Sequence, residues 1–422
     1  MIDVKRIVED KDNVEKGLLK RLSSKEFNLD EIVDLYERKK DLQTEYDTKR
    51  AGQKEFNDRM ASMDKGEGEY TKLLESLKEK AQEIKEVEQK LKSTEQELRA
   101  KLEVLPNIPD EDVVAGGKEK NEVVKEFGQK PEYGFEIKDH VQLGTDLDIL
   151  DFQRATKISG NNFSIYKGLG ARLEWALINY FVEYHVQEGY QMIIPPNLVT
   201  RESAYTAGQL PKFEDDVYWT KDGACLIPTA ETVLTNIYRD EVLDEEELPK
   251  KFFAYTPCYR KEAGSYRANE KGLIRMHQFN KVEIYQFVKE EDSATVLEEL
   301  VKRAEVLVEG LGLHYRTVKL AAGDCAAGAA KTYDIEVYLP SIQQYYEVSS
   351  ASNVREYQAR RGNMRYKPKD GSKLKYLHTL NASGLATSRL MVALLETYQQ
   401  EDGSILVPEI LRKYIGVDKI TK

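Results

Sequence analysis

Cysteine is scarce in this sequence. Its 422 residues include three cysteines, Cys225, Cys258 and Cys325, and no two of them form a Cys-x-x-Cys pair. A disulfide framework and a structural zinc site are therefore not expected. Free thiols suit a reducing compartment such as the cytosol, and we predict a cytoplasmic protein.

Long apolar runs and glycine-rich nucleotide loops are missing as well. No stretch approaches the ~18 apolar residues of a membrane-spanning helix. The first residues, MIDVKR, lead into charged sequence without the apolar segment of a signal peptide. Neither a Walker A loop nor a G-x-G-x-x-G sequence occurs, so the two commonest nucleotide-binding folds lack support.

Basic residues are outnumbered by acidic ones. The formal net charge is −11 at pH 7, whereas a protein that binds nucleic acid mainly by charge is normally basic. Any RNA binding must therefore depend on local basic groups and on shape. Charged residues nevertheless make up 32% of the chain, above the ~25% of typical globular proteins, and this excess indicates a long solvated helix.

Residues 29–105 differ from the rest of the chain and predict two long helices. Apolar residues recur at helical spacing in two runs, which are separated by two nearby glycines at 65–69 and stopped by the prolines at 106 and 109. The two runs contain Leu35, Leu42, Tyr46, Phe56, Met60 and Met63, and then Tyr70, Leu74, Leu77, Ala81, Ile84, Leu91, Leu98, Leu102 and Leu105. Two seams joined by one turn predict an antiparallel coiled-coil hairpin, about 29–105, that reaches ~50 Å.

The pattern leaves the role of this hairpin open. A dimerisation or spacer coiled coil would show the same heptads. From Tyr70 to Glu103, eight Lys and Arg residues balance eight Glu residues. Charge alone is therefore not expected to bind nucleic acid to the hairpin.

The remainder of the chain has the composition of a globular domain. Strand-like runs at 191–195 and 252–255 alternate with turns and with helical stretches such as 296–311. Strands and helices are mixed without a regular βαβ order, which predicts an α+β fold with a largely antiparallel sheet flanked by helices. We therefore divide the chain into an N-terminal domain, residues 1–110, and a C-terminal domain, residues 111–422.

Residues 258–283 form the first block with the residue types of a ligand site. Two strand-like ends flank a polar loop, and this predicted hairpin carries arginines, carboxylates and an aromatic residue. Arg260 offers a planar donor fork for phosphate or carboxylate, and Phe279 offers a stacking surface. A surface hairpin with ordinary salt bridges would explain the same residues.

Residues 379–396 form the second block. The small residues from Thr379 to Ser388 predict a turn that leads into an apolar helix, with Arg389 near the helix start. Small residues let a ligand approach the backbone, and a helix N-terminus with an arginine can bind an anion. The alternative is a buried helix whose arginine extends to solvent.

Together these blocks resemble the class II aminoacyl-tRNA synthetases and, within them, the seryl-tRNA synthetase family. Residues 260–262 resemble the Arg-x-Glu core of motif 2, and Arg389 resembles the arginine of motif 3. Residues 188–196 resemble motif 1, which helps form the dimer interface in that class. The stretches 227–231, 331–337 and 347–361, the tail 398–409 and the hairpin with its Leu-Pro-Asn-Ile-Pro exit resemble the seryl family in particular.

The resemblance implies a two-step acyl transfer. Serine would react with ATP to give seryl-adenylate, and the seryl group would then pass to the 3′ end of tRNA(Ser), and also of tRNA(Sec). The implied catalytic residues are Arg260 at the α-phosphate and Arg389 at the γ-phosphate. The implied ATP-binding residues are Arg260, Lys261, Glu262, Phe279, Glu347, Val348, Ser349, Ser350 and Arg389. Glu347 and Ser350 are also the implied Mg²⁺ ligands, and the implied serine-binding residues are Thr229, Ala230, Glu231, Glu283, Asn381 and Ser383.

The resemblance also implies partners. We expect a homodimer, in which each hairpin contacts the long variable arm of a tRNA served by the other subunit, while the motif 2 loop meets the acceptor end. Adenylyl transfer depends on positioning and charge stabilisation more than on protein nucleophiles. We therefore interpret His277 as a structural histidine and not as a general base.

The sequence departs from the family pattern at several positions. The motif 2 loop reads YRANEK at 266–271, where bacterial relatives commonly carry a Gly-Arg-Asp-Thr-Arg type run, and tRNA discrimination is left open there. Alanines stand at 326 and 327 where Gly-Phe is frequent, at 351 for a frequent cysteine and at 382 for a frequent glycine, which leaves the pocket size open.

Two other hypotheses stay open at this point. One is a paralogue that forms an aminoacyl-adenylate for a carrier protein or a biosynthetic pathway, and such paralogues tend to lack the hairpin. The other is a non-catalytic tRNA-binding protein, which would have lost Arg260 or Arg389, although both are present here.

Overall fold

A computed structural model describes residues 1–61, 68–262 and 270–422 of the chain. Contacts divide the chain into two compact units, Ile2–Pro106 and Asn107–Lys422, with Met1 counted in the second. The predicted turn at 65–69 and the predicted motif 2 loop at 266–271 lie mostly outside the described residues. No helix in the described ranges is long and apolar enough to cross a membrane.

The N-terminal unit is helical. Its helices are α1 Val4–Glu9, α2 Lys11–Leu19, α3 Leu29–Ala61 and α4 Gly68–Glu103. Ion pairs join Glu31 to Lys101, Lys39 to Glu95 and Lys49 to Glu83. Residue numbers rise along α3 as those of their partners fall along α4, so the two long helices are antiparallel, as the sequence predicted.

The seam of α4 differs in detail from the prediction. Its buried residues recur at spacings of three or four, as in a coiled coil, and they are Ile84, Val87, Leu91, Thr94, Leu98 and Leu102. Val87 and Thr94 belong to this seam although the predicted list omitted them. Leu74 was predicted in the seam but is 39% exposed.

The C-terminal unit is built on strands. They are β1 Glu122–Phe127, β2 Gln191–Ile193, β3 Leu198–Val199, β4 Cys225–Leu226, β5 Val242–Asp244, β6 Lys250–Tyr259, β7 Gln278–Val288, β8 Tyr315–Lys319, β9 Lys331–Leu339, β10 Gln344–Arg355, β11 Arg365–Lys367, β12 Lys375–Tyr376, β13 His378–Ala386, β14 Ile405–Leu406 and β15 Lys419–Ile420. Eight of them form one sheet in the order β1-β8-β9-β10-β13-β7-β6-β2. Every neighbouring pair in this sheet is antiparallel except β2 and β6, which confirms the predicted fold class.

The long helices of the unit cover one face of this sheet. The helices of the unit are α5 His140–Asp146, α6 Phe152–Ser159, α7 Gly168–Gln187, α8 Arg201–Thr206, α9 Glu231–Leu234, α10 Ser293–Gly310, α11 Tyr357–Arg361, α12 Thr387–Thr397 and α13 Glu409–Ile415. The apolar sides of α7, α10 and α12 pack with alternate residues of the central strands in one large core, which includes Leu177, Leu300, Leu394 and Ile284. The other face of the same strands carries the polar site described below.

One local prediction was wrong. The small residues from Thr379 to Ala386 were predicted as a turn, but they form β13, which lies between β10 and β7 at the centre of the sheet. The two neighbouring strands supply hydrogen bonds and packing that the low strand propensity of these residues does not predict. Arg389 is the third residue of α12, close to its predicted place at the helix start.

Candidate active site

One face of β7 carries a row of side chains that changes from apolar to charged to aromatic. Alternate residues of a strand point to the same side, so Phe287, Tyr285, Glu283, Lys281 and Phe279 share one face. Phe287 and Tyr285 are buried in a second apolar cluster of the unit. Glu283 and Lys281 are also buried, whereas Phe279 is partly exposed at the end of the row. The core of the sheet therefore leads directly into a charged site.

Polar side chains from neighbouring elements gather around Glu283. Asn381 Nδ2 donates to Glu283 Oε1 at 3.2 Å, and Thr229 Oγ1 donates to Glu283 Oε2 at 3.4 Å. Lys281 Nζ lies 2.5 Å from Glu283 Oε2 and donates to Thr229 Oγ1 at 2.7 Å. Ser383 pairs with Glu283 across β13 and β7. The cluster combines one buried cation with acceptors and hydroxyls, which suits a small polar ligand.

Thr229, Lys281, Asn381 and Ser383 line a cavity of about 370 Å³ together with Glu231, and Glu283 is buried behind them. Gln358 Nε2 donates to Glu231 Oε1 at 2.7 Å. Burial raises the pKa of Glu231 to about 7, the charge of Glu283 adds to this rise, and the hydrogen bond from Gln358 opposes it. The site therefore holds a carboxyl group that changes charge near neutral pH.

A second cavity of about 90 Å³ adjoins the first and shares Arg260, Lys281, Glu347 and Ser383 with it. Arg260 and Arg389 both line this smaller cavity. The guanidinium carbon of Arg260 lies 5.2 Å from the ring centroid of Phe279. Two arginines beside a partly exposed aromatic ring form a site for a phosphorylated aromatic ligand.

Main-chain oxygens and carboxylates hold these arginines. Arg260 Nε donates to Pro228 O at 3.3 Å. Arg389 Nη1 donates to Glu347 O at 2.7 Å, and Arg389 Nε donates to Ile274 O at 3.2 Å. The two guanidinium groups are thus anchored while other donors stay available to a ligand.

Glu262 lines both cavities. Its carboxylate accepts a hydrogen bond from Arg275, which also contacts Glu270. Glu262 has a positive φ of 53° just after the end of β6. Arg275 lines the smaller cavity as a third guanidinium, and the sequence analysis gave it no role.

Oxygen ligands for a cation lie on β9 and β10. Glu347 and Ser350 both line the larger cavity. Asp334, paired with Ser350 in the sheet, has an Oδ1 that is buried without a hydrogen-bond partner among the described residues. Burial and then the charge of Glu347 hold the pKa of Asp334 well above its usual range. Excess negative charge on oxygen atoms fits a hard divalent cation.

This cation site is incomplete without a ligand. Among the described residues, no group of three His, Cys, Asp or Glu side chains could hold a metal ion. Mg²⁺ commonly uses one or two carboxylates together with water and substrate phosphates. The oxygen atoms of Glu347 and Ser350 fit that mode of binding, with a phosphorylated ligand supplying further oxygens.

His277 has a structural role in this geometry. Its Nδ1 lies 3.0 Å from Arg260 O, and its backbone oxygen accepts from Arg260 N at 2.9 Å. Its ring makes aromatic contacts with Phe163 and Tyr218. These contacts fix the chain beside Arg260, in agreement with the interpretation of His277 as a structural residue.

Known proteins resemble the chain over its whole length. The family model described as seryl-tRNA synthetase N-terminal domain matches residues 1–109, and the model described as tRNA synthetase class II core domain (G, H, P, S and T) matches residues 212–398. Serine–tRNA ligase 2 of Clostridium acetobutylicum is 50% identical over 100% of both chains. The chain belongs to the seryl-tRNA synthetase family. Serine–tRNA ligase of Caldicellulosiruptor bescii is 49% identical, again over 100% of both chains.

Solved structures of the family have the same fold. Seryl-tRNA synthetase from Pyrococcus horikoshii, complexed with ATP, superposes with a TM-score of 0.91 at 32% identity over 100% of this chain and 99% of that one. The cytoplasmic enzyme of Naegleria fowleri, in complex with AMP, gives 0.86 at 27% identity over 100% and 99%. A prolyl-tRNA synthetase of Giardia lamblia gives 0.57 at 16% identity over 64% and 54%, a likeness of fold alone.

Most of the site residues expected from the family resemblance line the two cavities, but four do not. One of the four is Glu283, which is fully buried behind its partners Thr229, Lys281 and Asn381. Ala230 is fully buried in the second apolar cluster. Lys261 lines neither cavity, and its backbone N–H donates at 3.0 Å to the oxygen of Asp216, a residue of the larger cavity's wall. Ser349 is buried, and its Oγ donates to Ser383 O at 2.6 Å. Ala230, Lys261 and Ser349 can therefore shape the site but do not face it.

Besides Arg275 and Asp334, two further residues of the site had no predicted role. Lys281 lies between Phe279 and Glu283 on the same face of β7, and the two-residue period of a strand would have found it. Gln358 joins the site from α11 and contacts Glu231, Tyr285 and Thr379. It lies in the family-like stretch 347–361, but its contacts with the site depend on the fold of distant segments.

The alanines that depart from the family pattern lie in two different places, the apolar core and the wall of the larger cavity. Ala382 and Ala351 are fully buried in the core under the helices, so neither narrows the cavity. Ala326 and Ala327 line the larger cavity, and they are the departures that bear on its size.

Proposed function

We propose that this protein is a serine–tRNA ligase that activates L-serine with ATP and transfers it to tRNA(Ser). One observation carries the proposal. Arg260 and Arg389 face a cavity that opens beside the buried group of Thr229, Lys281 and Glu283. A triphosphate and a small hydroxylated amino acid would thus meet at one place, which is what adenylyl transfer needs.

Serine recognition rests on hydrogen bonds. Glu283 and Glu231 offer carboxylate acceptors for the ammonium and hydroxyl groups, and Thr229, Asn381 and Ser383 surround them. A site that hydrogen-bonds a hydroxyl group rejects an analogue without it by ~10⁴ to 10⁵, so alanine is excluded. Lys281 holds Glu283 and Thr229 in place and balances the buried charge.

Nucleotide activation rests on charge. The serine carboxylate attacks the α-phosphorus, the α–β bridging bond breaks, and pyrophosphate leaves with the electron pair. Arg260 binds the α-phosphate and Arg389 the γ-phosphate, which stabilises charge where it develops. Phe279 stacks on the adenine ring, and Glu262 accepts from the adenine amino group.

Mg²⁺ accompanies ATP in this proposal. Glu347 and Ser350 would hold the ion, and Asp334 lies behind them with its unpartnered oxygen. The ion supplies charge neutralisation of the phosphates. Val348 lines the nucleotide cavity next to Glu347.

The two parts of the chain then have separate tasks. Residues 1–110 bind tRNA through the helical hairpin, and residues 111–422 catalyse both steps. The charge of the hairpin is balanced, which suits recognition of shape. The motif 2 loop would meet the acceptor end, and tRNA(Sec) is a second acceptor.

The proposed location is the cytoplasm. Cys225, Cys258 and Cys325 are buried free thiols, which suits a reducing compartment.

The protein acts as a homodimer in this proposal. Exposed apolar residues lie along the motif 1 segment, where Met192 is on the edge strand β2 and Ile194 and Leu198 follow it. An exposed apolar edge strand is normally covered. The alternative of a paralogue that serves a carrier protein is not favoured, because the family model of the N-terminal domain matches residues 1–109.

The test is ATP–pyrophosphate exchange with each of the twenty amino acids, followed by charging of bulk tRNA. We expect exchange with serine and charging of serine-accepting tRNA. Exchange with another amino acid in preference to serine, or adenylate formation without charging, would contradict the proposal.

Glu283→Ala links this activity to the site. Its partners Thr229, Lys281 and Asn381 would lose a buried charged acceptor, and breaking such a pair costs ~2–5 kcal/mol, roughly 30-fold or more in kcat/KM for serine. Glu305→Ala is the matched control, because Glu305 is a buried glutamate that bonds Lys125 and Thr317 away from both cavities. Near-normal exchange by Glu283→Ala would remove Glu283 from the site.

A further inference from the structure

A buried histidine holds the short helical turn Gly272–Ile274, which precedes β7. Leu273 N lies 3.2 Å from His140 Nε2, and both residues are buried. A backbone N–H can only donate, so Nε2 is the acceptor and the proton of the neutral ring lies on Nδ1. The hydrogen bond thus fixes one tautomer of His140.

A buried glutamate fixes the other side of that ring. His140 Nδ1 lies 3.1 Å from Glu396 Oε1, which also accepts from the backbone N–H of His140 at 3.1 Å. Glu396 Oε2 accepts from Ser341 N at 3.0 Å. Glu396 is fully buried, and these donors satisfy both of its oxygens. The ring therefore cannot turn without leaving a buried acceptor unpaired.

The same turn holds Arg389 on its opposite side. Ile274 O accepts from Arg389 Nε at 3.2 Å. Arg389 and Glu396 both belong to α12, and their spacing of two helical turns puts them on similar sides of the helix. α12 therefore holds the turn twice, directly through Arg389 and indirectly through Glu396 and His140.

The contact between ring and turn leaves no free space. Gly272 has a φ of +61°, and a Cβ atom there would lie 2.4 Å from His140 Nε2. Lys271 Nζ also contacts Asp139 Oδ2 at 2.6 Å, next to His140 in the chain. The N-terminal end of α5 and the turn are thus packed as one rigid piece.

We propose that His140 is a positioning residue for nucleotide binding, because it fixes the turn whose carbonyl oxygen at Ile274 orients the guanidinium of Arg389. The inference rests on the proposed function, in which Arg389 binds the γ-phosphate. A binding group must be held within ~0.5 Å of its productive place, and a misplacement of ~1 Å can cost ~100-fold in rate. His140 itself lines neither cavity and touches no substrate.

The test compares two substitutions that separate the contacts of the ring. His140→Asn can still donate to Glu396 but loses the acceptor for Leu273 N–H, whereas His140→Gln keeps an acceptor near the position of Nε2. We expect His140→Asn to raise the KM for ATP by ~10-fold or more, with the KM for serine within about twofold, and His140→Gln to raise it less.

His314→Asn is the matched control. His314 is also buried, and its two ring nitrogens contact Phe127 O and Tyr345 Oη at 2.8 Å each, away from both cavities. It should lower thermal stability and leave both KM values unchanged. A KM for ATP within about twofold of the unmodified protein in His140→Asn, or equal losses for ATP and serine, would overturn the proposal.

Two further measurements separate this proposal from the proposed function and from misfolding. If the unmodified protein shows no serine-dependent exchange, the proposed function fails, and calorimetric titration with ATP alone then decides on His140. Nitrogen-15 spectra of labelled histidine in the unmodified protein should show the Nδ1–H tautomer for His140. The Nε2–H tautomer would leave Leu273 N–H without its acceptor and would overturn the inference.

Discussion

Glu231 lines the larger cavity close to the buried Glu283, and its surroundings make the site sensitive to pH. The pKa of Glu231 rises to about 7 from an ordinary 4.5 because of burial and the nearby charge of Glu283. The folded protein therefore binds a proton there that the unfolded chain releases above pH ~4.5, so this group lowers stability as pH rises from about 4.5 to 7. Without a ligand, the raised pKa favours the protonated form of Glu231. The ammonium group of serine favours the ionised carboxylate instead, so serine binding and proton binding at Glu231 oppose each other.

The KM for serine should therefore depend on pH. The ionised fraction of a group with a pKa near 7 rises about tenfold between pH 6 and pH 8. We expect the KM for serine in pyrophosphate exchange to fall by up to that factor over this range, since binding below pH 7 must first release a proton. Glu231→Gln should bind serine more weakly and lose the dependence. An equally steep profile in Glu231→Gln would assign the titration to another group.

Some residues of the site could be predicted from sequence and others could not. Arg260, Phe279 and Glu283 lie within one continuous segment, residues 258–283, and its resemblance to motif 2 predicts that they belong to the site. Lys281 alternates with Phe279 and Glu283, so the two-residue period of a strand places it on their face, although no family motif marks it. Gln358 on α11 and Asp334 on β9 belong to elements that are distant in sequence from these residues, and only the fold brings them near.

At the scale of elements, long periodic segments were predicted well and short ones were not. The two helices of the hairpin follow from their seams, because each seam repeats over many turns. The segment Thr379–Ala386 was predicted wrongly, since its small residues favour turns while its position between β10 and β7 decides for a strand. Local composition therefore does not predict a strand whose stability comes from its neighbouring strands.

The hairpin can be removed without disturbing the ends of the remaining chain. Glu31 and Lys101 contact each other at 2.8 Å, so residues 29 and 105 can be joined by a short linker. We expect deletion of residues 30–104 to leave the KM values for ATP and serine within about twofold, because no residue of either cavity is lost. Charging of tRNA should fall by roughly 100-fold or more, as the hairpin would no longer bind tRNA.

The readouts for this deletion are pyrophosphate exchange and aminoacylation measured on the same preparation. The full-length protein is the control for both. Unchanged charging by the deletion variant would refute the role of the hairpin. Loss of exchange would show that the hairpin is needed for the first step.

At the scale of the whole molecule, the eight-stranded sheet ends in two different edges. β1 forms one edge and β2 the other. The edge at β2 continues into Ile194, whose side chain is 86% exposed. A large exposed apolar residue beside an edge strand indicates a surface that another chain covers.

Ile194→Glu tests this surface. The proposed homodimer predicts that the unmodified protein sediments as a dimer. The variant would bury an unpaired carboxylate at the interface, which is costly, so we expect it to sediment as a monomer at the same concentration. Val123→Glu is the control, because Val123 is a 47% exposed apolar residue on the opposite edge strand. Dimers that persist in Ile194→Glu would place the interface elsewhere.

The paired charges of the hairpin also limit how its length can evolve. Glu31, Lys39 and Lys49 each meet a partner on α4 at a fixed opposite position. Insertion of a single amino acid into one helix would rotate everything beyond it by ~100° and separate these pairs. Lengthening without loss of register requires seven residues added to each helix together, so natural variation in reach should occur in steps of ~10 Å.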